Sequence, residues 1–233
     1  MRDKTVRIAA ILGTVAFAVI AIALIVVWLP NMTPAPASSP SARPAPSKVP
    51  TMDFSKTPAW ARPVSATTVM WQTTKDGVTI TAMNAGQDTA RYDSKYSSDT
   101  DNTLMVAKGD PIAYVNIVVT NTGAKTIYVD RLGPYLWASA GGFEMTLTTV
   151  VHADDTQAKK HGVYFDMVAP GKMAKGFGYP LQPGESCAAA RAVPLKYGKD
   201  FQFLPRLMLF PDAKALTGET AVGFDQVQTY TFA

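Results

Sequence analysis

Ile112-Ala113-Tyr114-Val115-Asn116-Ile117-Val118-Val119-Thr120 is the stretch on which the fold turns. Ala113, Val115, Ile117 and Val119 share one face at a period of two. Ile112, Tyr114, Asn116, Val118 and Thr120 occupy the other, so the segment reads as a half-buried or fully buried strand. Asn121-Thr122-Gly123-Ala124-Lys125 follows with turn chemistry, and Thr126–Asp130 alternates again with Ile127 and Val129 inward. This predicts a β-hairpin.

The same period recurs outward in both directions. Val78, Ile80 and Ala82 alternate after Gly77, from about Val69 onward. Tyr135–Ala140, Gly141-Gly142 and then Phe143, Met145 and Leu147 read as a second hairpin. Ser186–Val193, Phe201–Phe210 and Val222–Phe232 are further strands; Pro205 and Pro211 predict an edge or broken strand for the middle one. Helical signals are confined to Ala153–His161, where Asp154 can cap, Asp155 and Lys159 stand four apart, and Gly162 ends the turn. Gln87–Thr103 is polar and predicts a long loop, and Ala153–Tyr179 is a second interruption. Many short strands with Gly and Pro turns predict an all-β fold, an antiparallel β-sandwich of immunoglobulin-like type, over residues 69–233.

Lys108-Gly109-Asp110 before the central strand and Asn121-Thr122-Gly123 after it are short, turn-derived motifs that open an ordered series. A strand, the Gly-Gly turn and a further strand follow, and then Leu181-Gln182-Pro183-Gly184-Glu185 precedes another strand. Over about residues 77–225 this order resembles the bacterial membrane-anchored immunoglobulin-like domains of a family of unknown function common on lipoproteins. The chain departs from the lipoprotein members in lacking a lipobox Cys at the end of its apolar run. The resemblance implies an extracytoplasmic β-sandwich and carries no catalytic residues.

The N-terminus decides location. Ile8–Leu29 is a 22-residue apolar run containing 13 Ile, Leu, Val or Phe residues. As a helix it is ~33 Å long, enough for a ~30 Å hydrocarbon core. Trp28 stands where an interfacial aromatic belt belongs, and Arg2, Lys4 and Arg7 keep the first residues cytoplasmic. The expected organisation is a cytoplasmic tail (1–7), a transmembrane helix (8–29), a Pro-rich linker (30–68) and an extracytoplasmic domain (69–233). A cleaved signal peptide is the competing reading, but its apolar region is normally about 7–15 residues. Seven of the 21 residues from Pro30 to Pro50 are Pro, which favours an extended spacer of up to ~65 Å.

Charge follows the same partition. Residues 1–50 hold five basic side chains and one acid, which account for the whole net charge of +4; residues 51–233 hold 17 of each sign. Nucleic acid is therefore not an expected partner. A membrane, through residues 8–29, and an unidentified protein are.

Chemistry-bearing residues are sparse. The chain has two His and one Cys. Cys187, in Ser-Cys-Ala-Ala-Ala, reads as a buried structural thiol. Neither His lies beside a nucleophile elbow, so no enzyme and no cofactor are expected. His152, His161, Met145, Met167 and Met173 are the soft ligands an exported copper-binding or copper-delivery protein could use, but their spacing forms no tight motif. Asp99-Thr100-Asp101-Asn102 begins like a calcium loop and lacks its Gly and terminal Glu. Tyr135 and Trp137 share one strand face and are candidates for a binding patch; the competing assignment, which we favour from sequence, makes Trp137 the core aromatic of the sandwich.

Overall fold

The computed structural model describes residues 54–95, 104–145, 154–215 and 220–233. The expected membrane span, the start of the linker, His152 and Asp99–Asn102 lie outside them. Among the described residues no helix is long and apolar enough to cross a membrane.

The described residues are mostly β. Their strands are β1 (Thr68–Lys75), β2 (Val78–Thr89), β3 (Ser94–Lys95), β4 (Leu104–Val106), β5 (Pro111–Asn121), β6 (Ile127–Asp130) and β7 (Tyr135–Ala140). They continue with β8 (Phe143–Met145), β9 (Gly178–Leu181), β10 (Ser186–Pro194), β11 (Asp200–Phe210), β12 (Thr220–Gly223) and β13 (Gln228–Thr231). Among the described residues an α-helix, α1 (Asp155–Lys160), precedes β9, and a 3-10 turn (Leu195–Tyr197) follows β10. The pairings are antiparallel. One sheet runs β1-β2-β5-β10; the other runs β8-β7-β11-β6-β9, with β12 and β13 also on β11. The arrangement is compatible with a β-sandwich.

β1 and β2 form a hairpin because Asp76 and Gly77 both take positive φ, 51° and 75°, the geometry whose twist matches paired strands. Gly77 also lies so close to Gly123 that a Cβ would sit 2.9 Å from its Cα. The residues of β5 from Ile112 to Asn121 are all buried, although its sheet packs only one face on the other sheet. On that face Ile117 pairs Ala82, Ala82 pairs Trp71, and Trp71 meets Phe203 of β11 at 6.1 Å between ring centroids. The opposite face is covered by chain that is not sheet. Met83, Val118 and Ala188, with Val69 of β1, cluster under Phe54 and Val64. At its far end Tyr114 packs on Phe165 and His161, beside buried Ala158 and Val163. Two-sided burial explains the nearly continuous apolar reading of the central strand.

The segment 54–67, which the sequence reading places in the linker, therefore lies along the sheets as a strap. Ser186 N donates to Lys56 O (2.8 Å), Ala169 N to Trp60 O (2.8 Å) and Arg62 N to Met167 O (2.9 Å). Trp60 Nε1 donates to Pro180 O at 2.8 Å, and Ser65 Oγ to Gly162 O at 2.6 Å.

Further sequence expectations change, among them the single strand over Val222–Phe232, which is two, β12 and β13. β5 and β6 are not a hairpin: they belong to different sheets. The link is Asn121, fully buried, whose Nδ2 donates to Lys125 O and to Leu181 O (both 2.8 Å) while Oδ1 accepts from Gly123 N (3.0 Å). Those bonds turn the chain across to β6 beside β9 instead of back along β5. Next, β11 is a central strand despite Pro205, flanked by β6 and β7 on one edge and by β12 and β13 on the other. Pro205 is tolerated because β13 pairs only as far as Phe203 and β12 begins at Arg206, so the ladder has a gap where an N–H is missing. Finally, the segment read as a loop from Gln87 is strand at its start: β2 passes a bulge between Asn84 and Gly86 and pairs through Thr89.

Candidate functional site

β7 alternates cleanly: Leu136, Ala138 and Ala140 are buried, and Tyr135, Trp137 and Ser139 are half-buried on the other face. The register with β11 sets Tyr135 opposite Arg206, Trp137 opposite Leu204 and Ser139 opposite Gln202. On β11 the buried set is Phe201, Phe203, Pro205 and Leu207, so Gln202, Leu204 and Arg206 share the outer face with the β7 aromatics. β8 adds the exposed Glu144 opposite Ser139. The outer face of this sheet thus carries Trp137 and Leu204, a polar row of Glu144, Ser139 and Gln202 on one side, and Tyr135 with Arg206 on the other.

Both rings are held in place. Trp137 Nε1 donates to Glu144 Oε1 at 2.6 Å, and Tyr135 OH donates to Asp130 Oδ2 at 2.6 Å. Burial, helped by the Asp130 bond, pushes the Tyr135 phenol up to about 12, so it stays a neutral donor at physiological pH. The sequence reading favoured Trp137 as the core aromatic; Trp71 has that place, packed on Phe203. The phase of Leu136, Ala138 and Ala140 is the sequence signal that turns Trp137 outward. Leu204 and Arg206 carried no such signal, because their relation to β7 exists only in the cross-strand register.

The proposed soft ligands fall in different surroundings. Met167 is fully buried, its side chain beneath Gly133. Met173 stands 73% exposed. His161 caps the end of α1, packs at a tilt against Tyr114 at 5.0 Å between ring centroids and places Nε2 3.6 Å from Asp88 Oδ2. His152 lies outside the described residues, among which no group of three or more His, Cys, Asp or Glu could hold a metal ion. Cys187 is buried and unpaired, and burial pushes its thiol up.

A second polar cluster surrounds His161. Arg91 Nη1 bonds Asp154 Oδ2 at 2.7 Å, and Asp154 also accepts from Thr156 N as the cap of α1. The Arg91 bond and the cap bond hold the Asp154 carboxyl down at about 2. The Tyr114 hydroxyl is enclosed here without a hydrogen-bond partner. Burial first, then the carboxylates of Asp88 and Asp154, push it up to about 12, which makes it a poor acid and an unavailable nucleophile. Gly86 is needed beside this cluster: a Cβ there would meet His161 Nδ1 at 2.7 Å.

Comparison of the chain with family models, curated proteins and solved structures returns no match.

Proposed function

We propose that the chain is a single-pass membrane protein whose outer, immunoglobulin-like head acts by protein contact rather than by catalysis, as an accessory subunit of a cell-envelope complex. Residues 8–29 supply the anchor, with the N-terminus cytoplasmic. The observation that carries the contact role is the outer face around Trp137. It sets a Trp, a Tyr and an Arg, the residue types that dominate interface energetics, around an aliphatic side chain and inside a polar rim, with both rings hydrogen-bonded in place. Rings already fixed by hydrogen bonds lose little freedom on binding.

A photoreactive amino acid at Gln202 in native membranes tests this reading. A discrete protein adduct is expected, lost in Trp137→Ala and Arg206→Glu. Trp137→Ala should weaken the partner by about 2 kcal/mol or more, roughly 30-fold, without lowering the thermal midpoint. Adducts with lipid alone would overturn it. Protease added to intact cells tests the placement separately: it should remove the head, and a head that survives until the cells are opened refutes the orientation.

A further inference from the structure

Three connections widely separated in sequence meet at one place: the turn after β6, the run before β9 and the run after β11. Arg131 N donates to Phe177 O (3.1 Å), and Phe177 N to Ala215 O (3.2 Å). The Arg131 guanidinium lies 4.4 Å from the Phe177 ring, which stacks on Phe210. Gly176 packs directly on the backbone of Ala213 and Lys214, leaving no room for a Cβ. These connections carry Arg131, Lys172, Lys175 and Lys214, in a head whose charges balance overall. None of the four forms an ion pair among the described residues, and Arg131 Nε has no partner. Two nearby acids, Asp212 and Asp130, are tied by hydrogen bonds to backbone and phenol groups and offset part of that charge. Asp212 Oδ1 accepts from Lys214 N and Ala215 N, and Asp130 is buried on Tyr135 OH and Leu132 N. Two of the most exposed large apolar side chains stand in the same loops, Met173 at 73% and Leu132 at 54%.

We propose that this loop cluster docks on an anionic phospholipid bilayer. Cations beside projecting aliphatic side chains match a membrane interface, where the ammonium groups meet phosphates and the apolar tips enter below them. A soluble polyanion would use the cations and leave Met173 and Leu132 in water. Four cations also fall short of the roughly 6–10 phosphate contacts of a nucleic-acid footprint. The surface is built from segments separate from the Trp137 face and stands independently of the protein-contact reading.

The test uses the full chain held in a phosphatidylcholine nanodisc, with Met173→Cys carrying an environment-sensitive dye; buried Cys187 stays unlabelled. Vesicles of phosphatidylcholine, with or without about 30% phosphatidylglycerol, are then added. The dye should shift to the blue with anionic vesicles only. Lys172→Glu/Lys175→Glu/Lys214→Glu should raise the lipid needed for half-response about a hundredfold, at unchanged circular dichroism. Equal response to both vesicle types, no response to either, or an equal response to soluble polyphosphate overturns the proposal. Failure of the chain to remain in the nanodisc refutes the anchor and leaves the vesicle response readable.

Discussion

Asn121 spends its whole side chain on three backbone groups of two other segments. Asn121→Ala leaves the buried Leu181 carbonyl without this donor and frees the Lys125 carbonyl of the exposed turn. We expect a loss of about 2–3 kcal/mol, read as a thermal midpoint lower by roughly 5–10 °C. Asp154 predicts a pH effect with a definite sign. Its carboxyl titrates near 3.9 when unfolded and at about 2 when folded, so its stabilisation is complete above about pH 4 and vanishes as pH falls through 2. Asp154→Asn should therefore flatten the thermal midpoint between pH 4 and 2 relative to the parent. Cys187 should be silent toward a thiol reagent in the native protein and react fully in denaturant. Of these, the buried thiol and the Asp154 cap could be read from local sequence. Asn121 could not: Asn-Thr-Gly looks the same whether it reverses a strand or sends it to another sheet, and Leu181 lies 60 residues away.

At the level of elements, alternation located most strands, and the Gly-Gly turn correctly joined β7 to β8. It failed where tertiary context overrides local chemistry. Pro205 argues against a central strand until the gap between β12 and β13 is known. The strap was illegible for a related reason: Phe54-Ser55-Lys56-Thr57-Pro58-Ala59-Trp60 has no period, because each residue answers to a different neighbour. Arg191 binds elements in the same irregular way, its guanidinium donating to the carbonyls of Ala190, Leu132 and Pro134. Phe54→Ala should cost about 3 kcal/mol, since it opens the cluster over Met83, Val118 and Ala188. A chain beginning at Val69 should fail to fold, whereas one beginning at Val49 should melt as the parent does; equal melting of the two would show that the strap contributes nothing.

For the molecule as a whole, burial of both faces of one sheet makes strap, helix segment and sheets a single cooperative unit. The amides of Ser186 and Ala169, both donated to strap carbonyls, should accordingly exchange with deuterium as slowly as those of β5. Fast exchange at those two sites alone would identify a fraying strap. The strap also has a bearing on biosynthesis. Trp60 lies 120 residues ahead of the Pro180 carbonyl it binds, and Ser186, the partner of Lys56, comes later still. The first part of the head to be synthesised thus cannot be seated until Ser186 and Ala188 have been made. Until the codons for β9 and β10 have been translated, the apolar side of the nascent sheet has nothing to close it. Maturation must wait for nearly the entire polypeptide, and prematurely terminated products should be recognised as unfinished by whatever quality control they meet.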